Sequence, residues 1–304
     1  MKIGVVGLGK MGSAIVFRLT NAGFKVLGFD PDLKARQHAS TYGAQVTDIL
    51  EHISQQARII WLMIPAGELI DKVLQQLQPS LQPGDIIIDG GNSHFFDSVR
   101  RAKLLKKKSI HYIDCGTSGG IAGKIKGFSL MVGGDEKIYN IIEPILKALA
   151  APGGYGYMGP SGAGHYVKMI HNGIEYAVLQ SYAEGFNLLD NGSYNNLDLE
   201  KISKVWSHGS IIRSWILDLA HKIFKKDQEL DSVGGQIQES GTGRWVVEEA
   251  YAKKIPAVLI EDALTIREWS RTTGGNYATK VVALLRHAFG GHAITKIKKK
   301  SEFL

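Results

Sequence analysis

Lys2-Ile3-Gly4-Val5-Val6-Gly7-Leu8-Gly9-Lys10-Met11-Gly12 decides the fold. The first five residues are a short apolar strand, the last six fit G-x-G-x-x-G, and Ser13 to Leu19 continue with helical apolar spacing. Strand, glycine loop and helix in that order form the dinucleotide fingerprint. Gly7 permits the tight turn, Gly9 lets backbone approach a pyrophosphate, and Gly12 allows close packing of helix on strand. Leu8, Lys10 and Met11 complete the loop, and the helix N-terminus after it receives phosphate. A second strand, Phe24 to Phe29, ends at Asp30, where the fingerprint places an acid for a ribose 2′-hydroxyl. A carboxylate there repels a 2′-phosphate. The first cations after it, Lys34 and Arg36, are expected on the next helix, out of reach of such a phosphate, so NAD is expected over NADP.

Further β-like runs follow at Ile59–Ile64, Asp85–Asp89, Ile110–Asp114, Phe128–Val132 and Tyr155–Met158, with helical segments between them. This pattern predicts an α/β fold whose doubly wound Rossmann sheet occupies residues 1–160. After Gly159-Pro160-Ser161-Gly162-Ala163-Gly164 strand patterns stop. Helical periods then predict an all-α domain over 161–285, a substrate and dimerisation domain, with a C-terminal tail at 286–304. Met63, Ile64 and Pro65, at the end of one strand, are candidate cofactor contacts. Gly90-Gly91-Asn92-Ser93 and Gly116-Thr117-Ser118-Gly119-Gly120 follow two others, where ligands of open α/β sheets bind. Their backbone N–H groups can form anion nests; the alternative is a pair of tight turns that need positive φ.

At the start of the helical region stands Gly164-His165-Tyr166-Val167-Lys168-Met169-Ile170-His171-Asn172-Gly173-Ile174-Glu175-Tyr176. Lys168, His171, Asn172 and Glu175 fall at i, i+3, i+4 and i+7, one stripe of a helix. The apolar residues around them bury much of that helix, which makes a lysine and a glutamate costly unless they are used. An ordinary amphipathic helix with a wet face is the alternative.

The chain has 304 residues, 44% hydrophobic and 21% charged, enough for two cores. Its lone cysteine, Cys115, ends an apolar run and reads as a packing residue; it excludes an intrachain disulfide framework and suits a reducing compartment. A strand and a glycine turn occupy the N-terminus, so no signal peptide is expected, and no apolar run is long enough to span a bilayer. A cytoplasmic protein without membrane contact is expected. The net charge of +7 gathers in Lys106-Lys107-Lys108 and Lys296 to Lys300. These are solvated runs without aromatic interleaving, so nucleic acid is not an expected partner. A positive field suits anionic ligands. No metal-ligand cluster with recognisable spacing is present, and chelators are expected to leave activity intact.

These motifs, together with Gly241-Thr242-Gly243-Arg244-Trp245, resemble the decarboxylating 6-phosphogluconate dehydrogenases across nearly the whole chain. The Lys168 block separates this family from other β-hydroxyacid dehydrogenases, which share the fingerprint and the Ser-Gly-Gly loop. The chain resembles the short form, which lacks much of the long C-terminal domain. The resemblance implies oxidative decarboxylation of 6-phosphogluconate to ribulose 5-phosphate with reduction of NAD, a step of the pentose phosphate pathway and gluconate utilisation. It implies Lys168 as general base and Glu175 as later acid. Asn92, Ser118, Gly119, Gly120, His171, Asn172 and Tyr176 match substrate-binding positions, and Arg267 matches the phosphate-binding arginine. Arg286 and His292, in Arg286-His287-Ala288-Phe289-Gly290-Gly291-His292, match the motif that reaches a neighbouring subunit's substrate. A homodimer or homotetramer with shared active sites follows. One position departs: where the family commonly has a substrate-binding lysine before Gly-Thr-Gly, this chain has Ser240, preceded by Glu239. A dehydrogenase of a small acid such as 3-hydroxyisobutyrate, or a non-catalytic NAD-binding regulator, are the alternative readings.

Overall fold

The computed structural model describes residues 2–239 and 241–297. The described residues fall into two compact units that divide between 169 and 170, inside one long helix.

In the first unit the strands are β1 (Lys2–Val6), β2 (Lys25–Phe29), β3 (Gln45–Thr47), β4 (Ile59–Leu62), β5 (Ile86–Asp89), β6 (His111–Ser118), β7 (Phe128–Gly133) and β8 (Ala150–Gly159). They form one sheet in the order β3-β2-β1-β4-β5-β6-β7-β8. All neighbouring pairs are parallel except β6 and β7. The helices of this unit are α1 (Lys10–Asn21), α2 (Leu33–Ser40), α3 (Glu51–Gln56), α4 (Glu68–Leu77), α5 (Phe95–Lys106), α6 (Gly123–Lys126) and α7 (Glu136–Leu149). Strand β3 has no counterpart in the sequence pattern, since Gln45 and Val46 are exposed and give no apolar alternation to read. The reversal at β7 follows from the short connection after β6, too brief for the crossover that a parallel strand needs.

Strand residues divide by parity between two cores. Ile3, Val5, Trp61, Ile88 and Cys115 pack on one face; Val6, Ile60, Leu62, Ile87 and Tyr112 pack on the other. A sheet covered on both faces reads as continuous apolar runs, which is why these strands were legible. The strand order reverses between β1 and β4, and the crevice beyond their carboxyl ends is where ligands of such sheets bind. Gly12 shows how α1 is seated there: a Cβ on it would lie 1.8 Å from the Gly7 carbonyl oxygen.

Helix α8 (Ala163–Asn191) begins against the end of β6. Buried Asp114 on β6 accepts the Gly162 N–H at 2.7 Å and the His165 N–H at 2.9 Å, capping the helix from a neighbouring strand. Close approach requires glycines at this junction. A Cβ on Gly116 would lie 2.4 Å from the Cβ of Lys168, and one on Gly164 would lie 2.3 Å from the Met131 carbonyl oxygen.

The second unit is helical: the rest of α8, then α9 (Leu199–Trp206), α10 (Trp215–Phe224), α11 (Thr242–Lys253), α12 (Val258–Thr273) and α13 (Tyr277–Gly290). Its core joins Leu179, Ala183 and Phe186 of α8 to Leu217, Phe224, Val281 and Leu285. Asn276 and Thr279 close a capping box at the start of α13. After α13 the chain turns at Gly291 and runs beside residues 232–234, held by Gly234 N–H to the Thr295 carbonyl and Ile297 N–H to the Ser232 carbonyl.

Removing the Asp114 carboxylate leaves two buried N–H groups without acceptors, each costing about 1–3 kcal/mol. Asp114→Ala is therefore expected to lower the unfolding free energy by about 2–4 kcal/mol in urea titration. A loss below about 0.5 kcal/mol, the level of an ordinary surface substitution, contradicts the capping role.

Candidate functional site

In the first unit, three loops meet at the carboxyl edge of β1, β4 and β5. A Cβ on Gly7 would lie 2.4 Å from the Met63 carbonyl oxygen, and one on Gly91 would lie 2.5 Å from the Ile64 carbonyl oxygen. The loops bearing Gly7–Gly12, Met63–Pro65 and Gly90–Asn92 thus abut one another. Around Gly9, at the N-cap of α1, the space where a Cβ would project is open, with nothing within 4 Å. Open space over a helix N-terminus suits a pyrophosphate, so the residues present fit a dinucleotide.

Asp30 ends this arrangement on one side. Its carboxylate accepts the Leu8 N–H at 2.7 Å and the Asp32 N–H at 2.9 Å, which fixes it beside the glycine loop with lone pairs to spare. The expectation that no cation lies near Asp30 needs correction. Arg36, on α2, folds back to donate to the Asp30 carbonyl at 2.7 Å and the Pro31 carbonyl at 3.0 Å. A helix that starts immediately after the turn brings its fourth residue over the strand end, which sequence spacing alone does not show.

Asn92 has φ of +56°, and its side-chain amide is spent on backbone: it donates to the Thr117 carbonyl at 3.0 Å and accepts the Thr117 N–H at 2.8 Å. This two-point contact ties its loop to the end of β6, one residue before Ser118. Gly119 and Gly120 have φ of +123° and +53°, so this segment does require glycine for its turn. Below Asn92 lies a buried polar network. Asp89, fully buried, accepts from Ser93 at 2.7 Å, Tyr112 at 2.6 Å and the Gly91 N–H at 3.0 Å. Burial and the adjacent Asp89 push the Tyr112 hydroxyl well above its ordinary value. Arg101, 1% exposed, donates to both Asp71 oxygens, to Ser93 and to the Gly67 carbonyl. One guanidinium thereby joins the loop after β4 to the loop after β5. The hydrogen bond from Arg101 pulls the Asp71 carboxyl down to about 2.

Lys168 is also in this unit, on the first turns of α8 and only 5% exposed. The close approach of Gly116 holds its stem against β6.

The second unit carries the rest. His171, Asn172, Glu175 and Tyr176 follow on α8. The His171 ring nitrogen Nδ1 meets the Asn172 amide oxygen at 3.2 Å, and the Asn172 amide donates to Thr242 Oγ1 at 3.3 Å. Gly243 lies against the Tyr176 ring, so the Gly241-Thr242-Gly243 start of α11 packs on this part of α8. Tyr176 is buried, and the guanidinium carbon of Arg267 stacks 3.2 Å from its ring centroid. Arg267 is itself 1% exposed; neither of its terminal nitrogens nor the Tyr176 hydroxyl has a hydrogen-bond partner among the described residues. Arg286 on α13 is buried as well. Burial first, and the like charge of Arg286 next, push the Arg267 guanidinium down to about 10. Burial likewise lowers Arg286. Two buried cations, one of them with both terminal nitrogens unpartnered, are arranged for an anion.

Arg286, the residue expected to reach a partner's site, has Arg267, Tyr176, Glu175 and Glu239 of its own chain as neighbours, because α13 packs into the core of its own unit. His292, beyond the end of that helix, is exposed, and its carbonyl accepts from or is met by His287 Nδ1 at 2.7 Å. Ser240 lies outside the described residues. Its neighbour Glu239 is held by Arg244 at 3.0 Å.

Residues 2–169 match the family described as the NAD binding domain of 6-phosphogluconate dehydrogenase, and residues 164–303 match the 6-phosphogluconate dehydrogenase C-terminal domain. The chain belongs to the 6-phosphogluconate dehydrogenase family. It is 44% identical over 302 residues to a Haloferax volcanii protein named 6-phosphogluconate dehydrogenase, NAD(+)-dependent, decarboxylating, covering 97% of this chain and 99% of that one. It superposes on the Plasmodium falciparum 6-phosphogluconate dehydrogenase with a TM-score of 0.82 at 30% identity, covering 90% of this chain and 62% of that one. Similarity of fold extends to a Mycobacterium tuberculosis 3-hydroxyisobutyrate dehydrogenase, TM-score 0.74 at 22% identity over 94% and 99% of the two chains. The 6-phosphogluconate dehydrogenase family is an oxidoreductase family, and the NAD-binding domain description agrees with the glycine loop and its acid. Among the described residues no helix is long and apolar enough to cross a membrane.

Asp114 and Arg101 were not singled out from the sequence, and Arg36 was read there as out of reach of the site. An aspartate closing an apolar strand was a usable signal for Asp114; Arg101 and Arg36 sit in ordinary charged helices and offered none.

The lowered pKa of Arg267 sets a sign. A cation that holds its proton less tightly in the fold than in the unfolded chain opposes folding while it is charged, here by on the order of 3 kcal/mol, and an anion relieves that cost. Arg267→Met is therefore expected to raise or maintain Tm while abolishing the Tm increase that inorganic phosphate gives the wild type. A variant that melts lower and still responds to phosphate contradicts this assignment.

Proposed function

We propose that this protein catalyses the NAD-dependent oxidative decarboxylation of 6-phosphogluconate to ribulose 5-phosphate and carbon dioxide. The observation that carries the reading is the buried Arg267 and Arg286 pair, with unpartnered donors on Arg267, built for a ligand as anionic as a phosphate. A 3-hydroxyisobutyrate-like substrate has no phosphate and leaves those charges uncompensated. We place residues 1–160 as the cofactor-binding domain and 161–285 as the substrate and dimerisation domain. The protein is proposed to act in the cytoplasm as a homodimer or homotetramer, where the buried, unreactive thiol of Cys115 is at home; burial pushes it well up.

In this reading the Gly7–Gly12 loop, Asp30 and the Met63–Pro65 loop hold the dinucleotide, and Asn92 with Ser118, Gly119 and Gly120 places the sugar acid. When bound, NAD takes up the hydride that leaves C3 of the substrate. Lys168, buried on the first turns of α8, removes the proton of the C3 hydroxyl as general base. The 3-keto acid that results has its carboxylate β to the ketone. As the bond to carbon dioxide breaks, its electron pair moves to the ketone oxygen, and the Lys168 ammonium returns its proton there. Glu175 then protonates the enediol at C2 while the neutral Lys168 takes back the C3 hydroxyl proton, and ribulose 5-phosphate results. Seven helical residues place Lys168 and Glu175 roughly 10 Å apart along α8, the span of a short sugar acid. His171 and Asn172 orient the substrate between these groups, and Tyr176 carries the Arg267 guanidinium on its ring. His292, exposed beyond α13, is the residue we assign to a partner subunit's site.

Lys168→Met is expected to lower kcat by at least about 10²- to 10⁴-fold while NAD binding stays near wild type. Glu175→Gln is expected to spare oxidation and slow the final protonation, so that the keto or enediol species accumulates in single-turnover traces. Mixed assemblies of a Lys168→Met chain and a His292→Ala chain should regain part of the activity each lacks alone. Near-normal turnover by Lys168→Met rejects the mechanism; absence of recovery in verified mixed assemblies rejects only the role of His292.

For the cofactor, Asp30→Ser is expected to reduce kcat/KM with NAD about tenfold and to raise it with NADP, because the neighbouring Arg36 can then meet a 2′-phosphate. Adding Arg36→Ala should remove the gain with NADP. A wild type that prefers NADP overturns the role given to Asp30.

A further inference from the structure

Tyr176 Oη, Arg267 Nη1 and Nη2, and Glu239 Oε2 are buried atoms of the second unit, and none has a hydrogen-bond partner among the described residues. The first three belong to the stack of Arg267 on Tyr176. The fourth belongs to a residue that takes no part in the proposed reaction. Glu239 stands in the sequence beside Ser240, the position where the family lysine is missing, so this stretch carries an acid and no cation.

The Glu239 side chain is held at one oxygen only. Oε1 lies 3.0 Å from Arg244 of α11 and 3.7 Å from Arg271 of α12, and Arg271 is itself anchored by donating to the Ile237 carbonyl at 3.2 Å. Arg271 and Arg267 are four residues apart on α12 and share a face of it. The contact with Arg271 therefore brings the carboxylate to the side of α12 that carries Arg267. Burial lowers both the Arg267 and the Arg286 guanidinium, and the charge of Glu239 pulls each back up, as a carboxylate within range of both does. One oxygen of Glu239 is thus spent on guanidinium groups, and the other is left without a donor.

The unmet atoms make opposite demands. The Arg267 nitrogens need acceptors, whereas a carboxylate oxygen accepts only and needs a donor. A bare anionic oxygen brought to Arg267 leaves Glu239 Oε2 unmet and adds repulsion between like charges. An oxyanion that also presents an O–H satisfies both. We propose that Glu239 Oε2 accepts a hydrogen bond from an O–H carried by the anion that Arg267 binds, which makes Glu239 a specificity residue favouring such anions over bare ones. Two groups of a sugar phosphate can supply the O–H: a proton on the phosphate, or the hydroxyl on the carbon next to the ester. This inference rests on the anion site read from Arg267 above and adds what its anion must carry.

Calorimetric titration with four small anions tests it, at about pH 8, above the second pKa of about 6 of a phosphate monoester. Inorganic phosphate keeps a proton there and sulfate has none; glycerol 3-phosphate has a hydroxyl on the carbon next to its ester and ethyl phosphate has no donor. The wild type is expected to favour the donor-bearing member of at least one pair by about tenfold or more in Kd. A preference for phosphate over sulfate places the donor on the phosphate, and one for glycerol 3-phosphate over ethyl phosphate places it on the adjacent carbon. Glu239→Gln, whose amide can donate to a bare oxygen, is expected to lose most of that preference with circular dichroism unchanged. Equal binding within both pairs by the wild type overturns the role of Glu239 and leaves the anion site standing; if the glutamine variant fails to fold, this comparison alone decides. A folded glutamine variant that keeps the full preference also rejects the role, and a wild type that binds none of the four rejects the anion site itself.

Discussion

The Asp114 carboxylate, held between the amides of Gly162 and His165, is the contact on which the rest of the molecule depends. It is buried and satisfied, so it costs little to keep and much to lose. It fixes the first turn of α8 against the end of β6. Lys168 follows one turn later in the same unit, its stem held against β6 by the close approach of Gly116. Two glycines make the contact possible, because any side chain at Gly116 or Gly164 would force the helix off the strand.

The two units prepare for ligands by opposite electrostatic means. In the first, charge is neutralised in advance. Arg101 is matched by Asp71 and faces Asp89 at 3.7 Å, and the loops bearing Gly67 and Ser93 are fixed whether or not anything is bound. In the second, two arginines are buried together: burial and the like charge of Arg286 lower the Arg267 guanidinium, and its terminal donors have no hydrogen-bond partner among the described residues. Such an arrangement lowers stability in the free protein and returns that free energy as affinity for an anion, the trade between stability and function that binding sites commonly show.

Much of the first unit was legible because parallel strands buried on both faces are continuous apolar runs, and because the glycine loop specifies strand, turn and helix at once. The stripe from Lys168 to Glu175 was legible for a similar reason, since periodicity reveals which residues share a helix face. β3 escaped notice because its residues are exposed, and the reversal of β7 because direction leaves no mark on composition. Arg36 and Arg101 were invisible as site residues: a charged residue on an amphipathic helix looks the same whether it meets water or a loop.

The sequence by itself determined the local items: the nucleotide loop and its acid, the polar stripe of α8, the change from alternating to helical texture, and membership of a family with a known chemistry. Tertiary structure decided which distant residues meet. It brought Asp114 to the start of α8, folded Arg36 over the end of β2, spent the Asn92 amide on Thr117, and packed Arg286 beside Arg267 in its own chain. The physical reason is range. Helix periodicity, turn preference and strand apolarity act over a few residues and are written in order along the chain, whereas a buried charge or a cap is settled by whichever group the packing delivers from far away.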